Sequence, residues 1–165
     1  PKLPQPVICQ PHGLATAAGC QLVASCDLAV TDTETKFGVN GVNIGLFCST
    51  PMVALSRNIP RKHAFELLTT GEFMSADRAA ELGRINRAVP EEDLEAETLK
   101  MAETIASKLG SAVKIGKEAY YRQIEMPLDE AYAYTSGVIV ENLMHRDTIE
   151  GLNAFIEKRH PDWQQ

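Results

Sequence analysis

The sequence predicts an α/β fold in which a small layer of strands and short helices is followed by a largely helical region. Two observations carry this. Up to about residue 60, glycine, small and β-branched residues dominate in short apolar runs, whereas beyond it Ala, Glu, Leu and Lys recur at helical spacing. The segment from Val7 to Val30 also reads as strand, short helix, strand, which favours a parallel pairing. The chain therefore divides, on composition, into a β/α part at 1–60 and a helical part at 61–165.

Each element has its own signal. Val7-Ile8-Cys9 is an apolar run between Pro6 and Pro11-His12-Gly13 and reads as a buried strand. Ala17 to Ser25 reads as a short helix with Leu22, Val23 and Cys26 as its apolar stripe, ended by Asp27. Leu28-Ala29-Val30 is a second strand, closed by the polar turn Thr31-Asp32-Thr33-Glu34. Phe37 to Pro51 holds Gly38, Gly41 and Gly45 without a regular period and reads as a loop, longer than a connector requires. A helix at Met52–Arg57 follows, with Ser49 and Thr50 as capping candidates. Arg61 to Leu68 is helical with Ala64, Leu67 and Leu68 inward, and Ser75 is an N-cap candidate for a helix ending at Gly83. Ile85 to Val89 is extended. Pro90-Glu91-Glu92-Asp93 then puts acids at a helix start, where the dipole favours them, and that helix runs to about Ser107. Three more helices are expected at about 112–124, 128–145 and 148–158. The last carries Ile149, Leu152, Phe155 and Ile156 on one face.

Composition sets outer limits. With 165 residues the chain is long enough for one domain with a real core. The net charge of -6 gives no basis for nucleic acid or an anionic membrane as partner. No apolar run approaches the ~20 residues of a membrane span. The opening Pro1-Lys2-Leu3-Pro4-Gln5-Pro6 reads as a connector, as in a piece of a longer chain, a processed product or an alternative isoform. Cys9, Cys20, Cys26 and Cys48 form no C-x-x-C pair and read as reduced thiols. His12, His63, His145 and His160 have no partners at ligand spacing, so no metal site is expected.

Three groups of residues carry a family resemblance. They are Pro6-Val7-Ile8, then Gly13 to Leu22, then Cys26-Asp27; Phe37-Gly38, Gly45-Leu46, Leu68 to Glu72 and Ala79 to Gly83 extend the match, and Gly151 to Arg159 closes it. In this order they resemble the crotonase (enoyl-CoA hydratase/isomerase) superfamily over nearly the whole chain. Gly13 to Asp27 and the run Gly45-Leu46-Phe47-Cys48-Ser49-Thr50-Pro51 point to one subgroup within it. The resemblance implies a ClpP/crotonase-like spiral core of ββα units, here its C-terminal part, followed by helices used for oligomerisation. A complete member carries a further N-terminal portion that supplies the first of the two oxyanion donors and much of the coenzyme A site.

Members of that family act on acyl-CoA thioesters and meet enolate charge on the thioester oxygen with two backbone N–H groups, one at a helix N-terminus. Such a site needs small residues, because the thioester must touch backbone. Ala15, Ala17, Ala18 and Gly19 meet that need; on spacing alone they equally suit a helix packed closely on a sheet. By position, the N–H of Ala18 matches the family's second donor. Hydratases of the family place one Glu just after that donor and a second in the following loop, as acid and base on a water. These positions hold Gln21, which has no proton to exchange near neutral pH, and Gly41, which has no side chain. Gln21 and Gly41 therefore line the expected substrate pocket without supplying the carboxylates. Asp27 reads as a capping or sheet-end residue, His12 as a turn residue, and Glu66, Glu72 and Asp77 as solvated surface.

By the same resemblance Phe155 and Lys158 fall where the family contacts the adenine-phosphate end of coenzyme A across a subunit boundary; a core Phe and a surface Lys would look alike. The helix at 128–145 suits a trimer interface, within a homotrimer or hexamer, or a buried core helix. The expectation is an enoyl-CoA hydratase/isomerase family member of mitochondrial fatty acid metabolism that lacks both usual catalytic Glu residues. Its ligand would be an acyl-CoA thioester and it would need no separate cofactor. The alternatives are a non-catalytic acyl-CoA-binding or regulatory protein, or a truncated inactive product.

Overall fold

A computed structural model of the chain describes residues 2–164. It resolves into two compact units: Val7–Ala102, and a second formed by Pro1–Pro6 with Glu103–Gln165. The units divide at Ala102/Glu103, while the composition shifts near residue 60.

The Val7–Ala102 unit is built from a repeated strand–strand–helix pattern. β1 (Ile8–Cys9), β2 (Leu14–Thr16) and α1 (Ala18–Ser25) form one turn of it; β3 (Leu28–Asp32), β4 (Lys36–Gly38), a 3-10 segment (Asn40–Ile44) and α2 (Ser49–Asn58) form the next. Successive turns stack in parallel, which is the spiral expected of ββα units. β1 pairs with β3 through Ile8–Leu28 and Cys9–Ala29, and β2 pairs with β4 through Leu14–Lys36, Ala15–Phe37 and Thr16–Gly38. After α2 come α3 (Arg61–Thr70), β5 (Phe73–Ser75), α4 (Ala76–Glu81) and β6 (Arg87–Val89). β6 adds in parallel to β3, and β5 adds antiparallel to β4, giving two three-stranded sheets ordered β1-β3-β6 and β2-β4-β5.

The core lies between these sheets and the helices. Cys20 and Val23 of α1, Phe37, Val39, Leu55, Leu67, Leu68, Met74 and Ile85 are buried in one apolar cluster. Phe37 and Leu55 are fully enclosed, each worth about 1.5–3 kcal/mol of burial. The expected inward face of α3 is confirmed, since Ala64, Leu67 and Leu68 are its buried residues. Ser75 caps α4 as expected, its Oγ accepting from the Arg78 N–H at 3.3 Å, and Gly83 turns the chain at a φ of 73°. Asp27 holds a sheet end: its carboxylate accepts from the Val7 N–H at 2.6 Å, while Val7 O accepts from the N–H groups of Asp27 and Leu28.

Two expectations are corrected. The stretch Phe37 to Pro51 is not one irregular loop. It contains the end of β4, the 3-10 segment and the first turn of α2, because β4 finds strand partners on both sides. Ser49 and Thr50 lie inside α2, whose N-cap residue is Cys48, with no side-chain cap bond.

In the second unit, α6 (Gly110–Gln123) pairs with α7 (Leu128–Leu143), and α8 (Arg146–Glu157) follows; α5 (Leu94–Ala106) spans the boundary between the two units. α7 is not a buried core helix: Leu128, Tyr132, Ile139 and Val140 are exposed and Ala131 alone is buried in it. The periodic face of α8 is likewise exposed, Phe155 at 82% and Ile156 at 75%. Among the described residues no helix is long and apolar enough to cross a membrane.

Candidate functional site

The site is organised by Ala17, the residue between β2 and α1. Its backbone sits at φ 46° and ψ -112°, a region that L side chains rarely occupy because Cβ crowds the backbone. Two bonds fix it there. Its N–H donates to Gly38 O at 3.0 Å, and its carbonyl accepts from the Gln21 N–H at 3.0 Å. The chain thereby turns sharply from strand into helix, and Ala18 becomes the first residue of α1. Neither Ala18 nor Gly19 carries a bulky side chain, and both are exposed. The first N–H groups of a helix have no intrahelical acceptor, and among the described residues none accepts from Ala18. The arrangement is a backbone donor with the partial positive charge of a helix start behind it.

The expected pocket residues gather around this turn. Ala15 is buried beneath it, Ala17 is half-buried, and Gln21 lies half-buried one turn along α1. Gly41 reaches the same neighbourhood through a polar pair that the sequence did not flag: Thr16 Oγ1 donates to Asn40 Oδ1 at 2.7 Å. Only the motif position of Thr16 hinted at it; Asn40 gives no sequence signal. Gly41 itself has no room for a side chain. A Cβ there would fall on the Leu46 carbonyl oxygen and lie 2.9 Å from Cys48 Sγ. The Gly41 carbonyl in turn accepts from the Leu46 N–H at 2.9 Å. The absence of a carboxylate at 41 is therefore built into the backbone packing.

Phe155 and Lys158 belong to the other compact unit, both exposed. Lys158 ends α8 in the left-handed conformation. His12 is exposed in its turn. The four cysteines are free thiols: Cys20 and Cys48 are buried, Cys9 and Cys26 half-buried. Burial, with the neighbouring Cys26 thiol, pushes Cys9 up to about 12. Among the described residues no group of His, Cys, Asp and Glu could hold a metal.

Arg84 was also not singled out by its sequence position. It is buried, its Nη2 donating to the Cys20 carbonyl at 3.1 Å and to Cys20 Sγ at 2.7 Å. An arginine just after a helix-ending glycine reads as surface, so nothing in the sequence marks it as interior.

The enoyl-CoA hydratase/isomerase family model matches residues 1–165. A Xenopus laevis protein named enoyl-CoA hydratase domain-containing protein 3, mitochondrial, is 53% identical over 161 residues, covering 98% of this chain and 55% of the relative. The human protein of the same name is 51% identical over 160 residues, covering 97% of this chain and 53% of that one. A crystal structure of enoyl-CoA hydratase from Mycobacterium smegmatis matches with a TM-score of 0.97 at 53% identity, covering 99% of this chain and 63% of that one. The chain thus spans about half the length of the curated relatives it matches. The relatives bear out the subgroup that the Gly13–Asp27 and Gly45–Pro51 stretches indicate, and the fold match bears out the spiral core.

Proposed function

Because the chain belongs to the enoyl-CoA hydratase/isomerase family, we propose that the protein carrying it binds an acyl-CoA thioester with the thioester oxygen at the Ala18 N–H. We further propose that it does not hydrate enoyl-CoA in the usual way. The observation that supports this most strongly is the Ala17 turn, which presents a small-residue helix start with its first N–H unpartnered. A developing negative charge on the thioester oxygen would gain from that donor and from the helix dipole. Water chemistry lacks its acid and base. The Gln21 amide can orient a water but cannot exchange a proton with it, and the Leu46 carbonyl occupies the space a side chain at 41 would need.

The chemistry left to such a site is polarisation of a thioester, either for binding alone or for enolate formation with a carboxylate from elsewhere. The names of the Xenopus and human relatives support a mitochondrial setting, and the family supports a role in acyl-CoA and fatty acid metabolism. No separate cofactor is needed. The exposed apolar faces of α7 and α8 support assembly into a homotrimer or hexamer, with Phe155 and Lys158 reaching coenzyme A across a subunit boundary.

Calorimetric titration with a saturated acyl-CoA tests the binding half. Saturable heat is expected; its absence from folded, monodisperse protein would remove the reading and favour an inactive product. A crotonyl-CoA hydration assay on the Gln21→Glu variant tests the other half. No hydration should return, since position 41 still supplies no second carboxylate.

A further inference from the structure

Arg84 is 5% exposed, yet no carboxylate among the described residues pairs with it. Its Nη2 is used twice on Cys20, and its Cζ lies 4.9 Å from the centre of the buried Phe37 ring. Nε and Nη1 have no hydrogen-bond partner among the described residues. Cys20 does not provide the missing charge. Burial pushes its thiol up, against the opposing pull of Arg84, so it stays neutral. A guanidinium is always protonated in proteins. An uncompensated buried cation weakens a fold, and an apolar side chain of similar volume would pack at lower cost.

Where this cation sits gives it a use. Cys20 is in the first turn of α1, two residues beyond Ala18, and the same turn is tied to β4 by the Ala17–Gly38 bond. A charge in a dry interior is weakly screened and acts over several ångströms. We infer that Arg84 is a positioning residue of the oxyanion site: its guanidinium pins the first turn of α1 through Cys20, and its uncompensated charge stabilises a thioester enolate at the Ala18 N–H, which serves as its counter-charge. This rests on the thioester-binding reading above. The site thus adds to backbone dipoles a full positive charge that touches no substrate atom.

Acetoacetyl-CoA is the probe, because this β-ketothioester loses its α-proton to give an enolate with a strong near-ultraviolet band. The ionisation of the bound ligand is followed against pH in the wild-type protein, in Arg84→Met and in Arg84→Lys. In the wild type the bound ligand should ionise at lower pH than the free ligand. Arg84→Met should weaken enolate formation on the order of tenfold, with thermal stability equal to or above wild type. Arg84→Lys should recover part of the shift, which a packing role alone would not produce. Ionisation in Arg84→Met matching the wild type would overturn the inference. If Arg84→Met fails to fold, Arg84→Lys decides: bound ligand ionising as in free solution, with affinity retained, overturns it as well. A wild-type protein that binds the probe with no shift at all would instead overturn the thioester-site reading.

Discussion

The strain at Ala17 makes a quantitative test of how the site is held. Its backbone at φ 46° and ψ -112° is imposed by the bonds to Gly38 and Gln21, not by its own preference. A residue in a sparsely populated region stores roughly 1–3 kcal/mol. Replacing Ala17 with glycine removes the Cβ that causes the crowding and leaves both backbone bonds in place. The unfolded chain gains freedom in exchange, worth about 0.4–1 kcal/mol. The difference predicts net stabilisation of about 1 kcal/mol, or a rise in melting temperature of roughly 2–4 °C for a chain of this size. Ala17→Val should move the other way, since a β-branched side chain at positive φ is worse than Ala. Urea unfolding of the three proteins reads this directly, with the midpoint shifting and the slope unchanged. A lower midpoint for Ala17→Gly, or no loss for Ala17→Val, would refute the strained-turn account of Ala18 presentation.

Other perturbations have equally definite signs. Gly41→Ala forces a Cβ onto the Leu46 carbonyl and against Cys48 Sγ, and should cost about 1–3 kcal/mol in chemical denaturation as an overpacking change. Leu55→Ala, at a fully buried position of α2, should cost about 2–5 kcal/mol. Glu150 is held down to about 2, first by its hydrogen bond from Arg159 and then by the Asp162 N–H. A carboxylate depressed on folding stabilises above its unfolded value near 4.5, and that contribution is lost as pH falls from there to about 2. Glu150→Gln should therefore flatten the acid limb of the stability profile over that window, while leaving its shape above pH 6 unchanged.

The sequence was legible where local chemistry sets the structure. The Ser75 cap, the Gly83 turn and the inward face of α3 all depend on residues a turn apart, and each stands where its pattern puts it. The parallel β1–β3 pair was legible too, because the short helix between them leaves few alternatives. β2 and β4 were not. Each is three residues long, too short to show an alternating period, and their pairing brings together Leu14 and Lys36, whose link no local signal encodes. At the site, the small residues of Ala15 to Gly19 announce a close backbone approach, but the positive φ of Ala17 arises only once Gly38 is in place. Gly41 reads in the sequence as a missing side chain; the structure shows a position closed to one. Arg84 is the opposite case, a charged residue whose burial depends on a core assembled from α1 and β4.

The proposed site polarises a thioester through the backbone at Ala18 and lacks the usual hydratase chemistry. It is tested most directly by mixing crotonyl-CoA with excess protein and recording the absorption of the conjugated thioester over time. A band shifted to longer wavelength is expected, as the Ala18 N–H draws electron density onto the carbonyl oxygen, and that band should then persist. Decay of the band as the double bond is hydrated, or a persistent band with no shift, would contradict it.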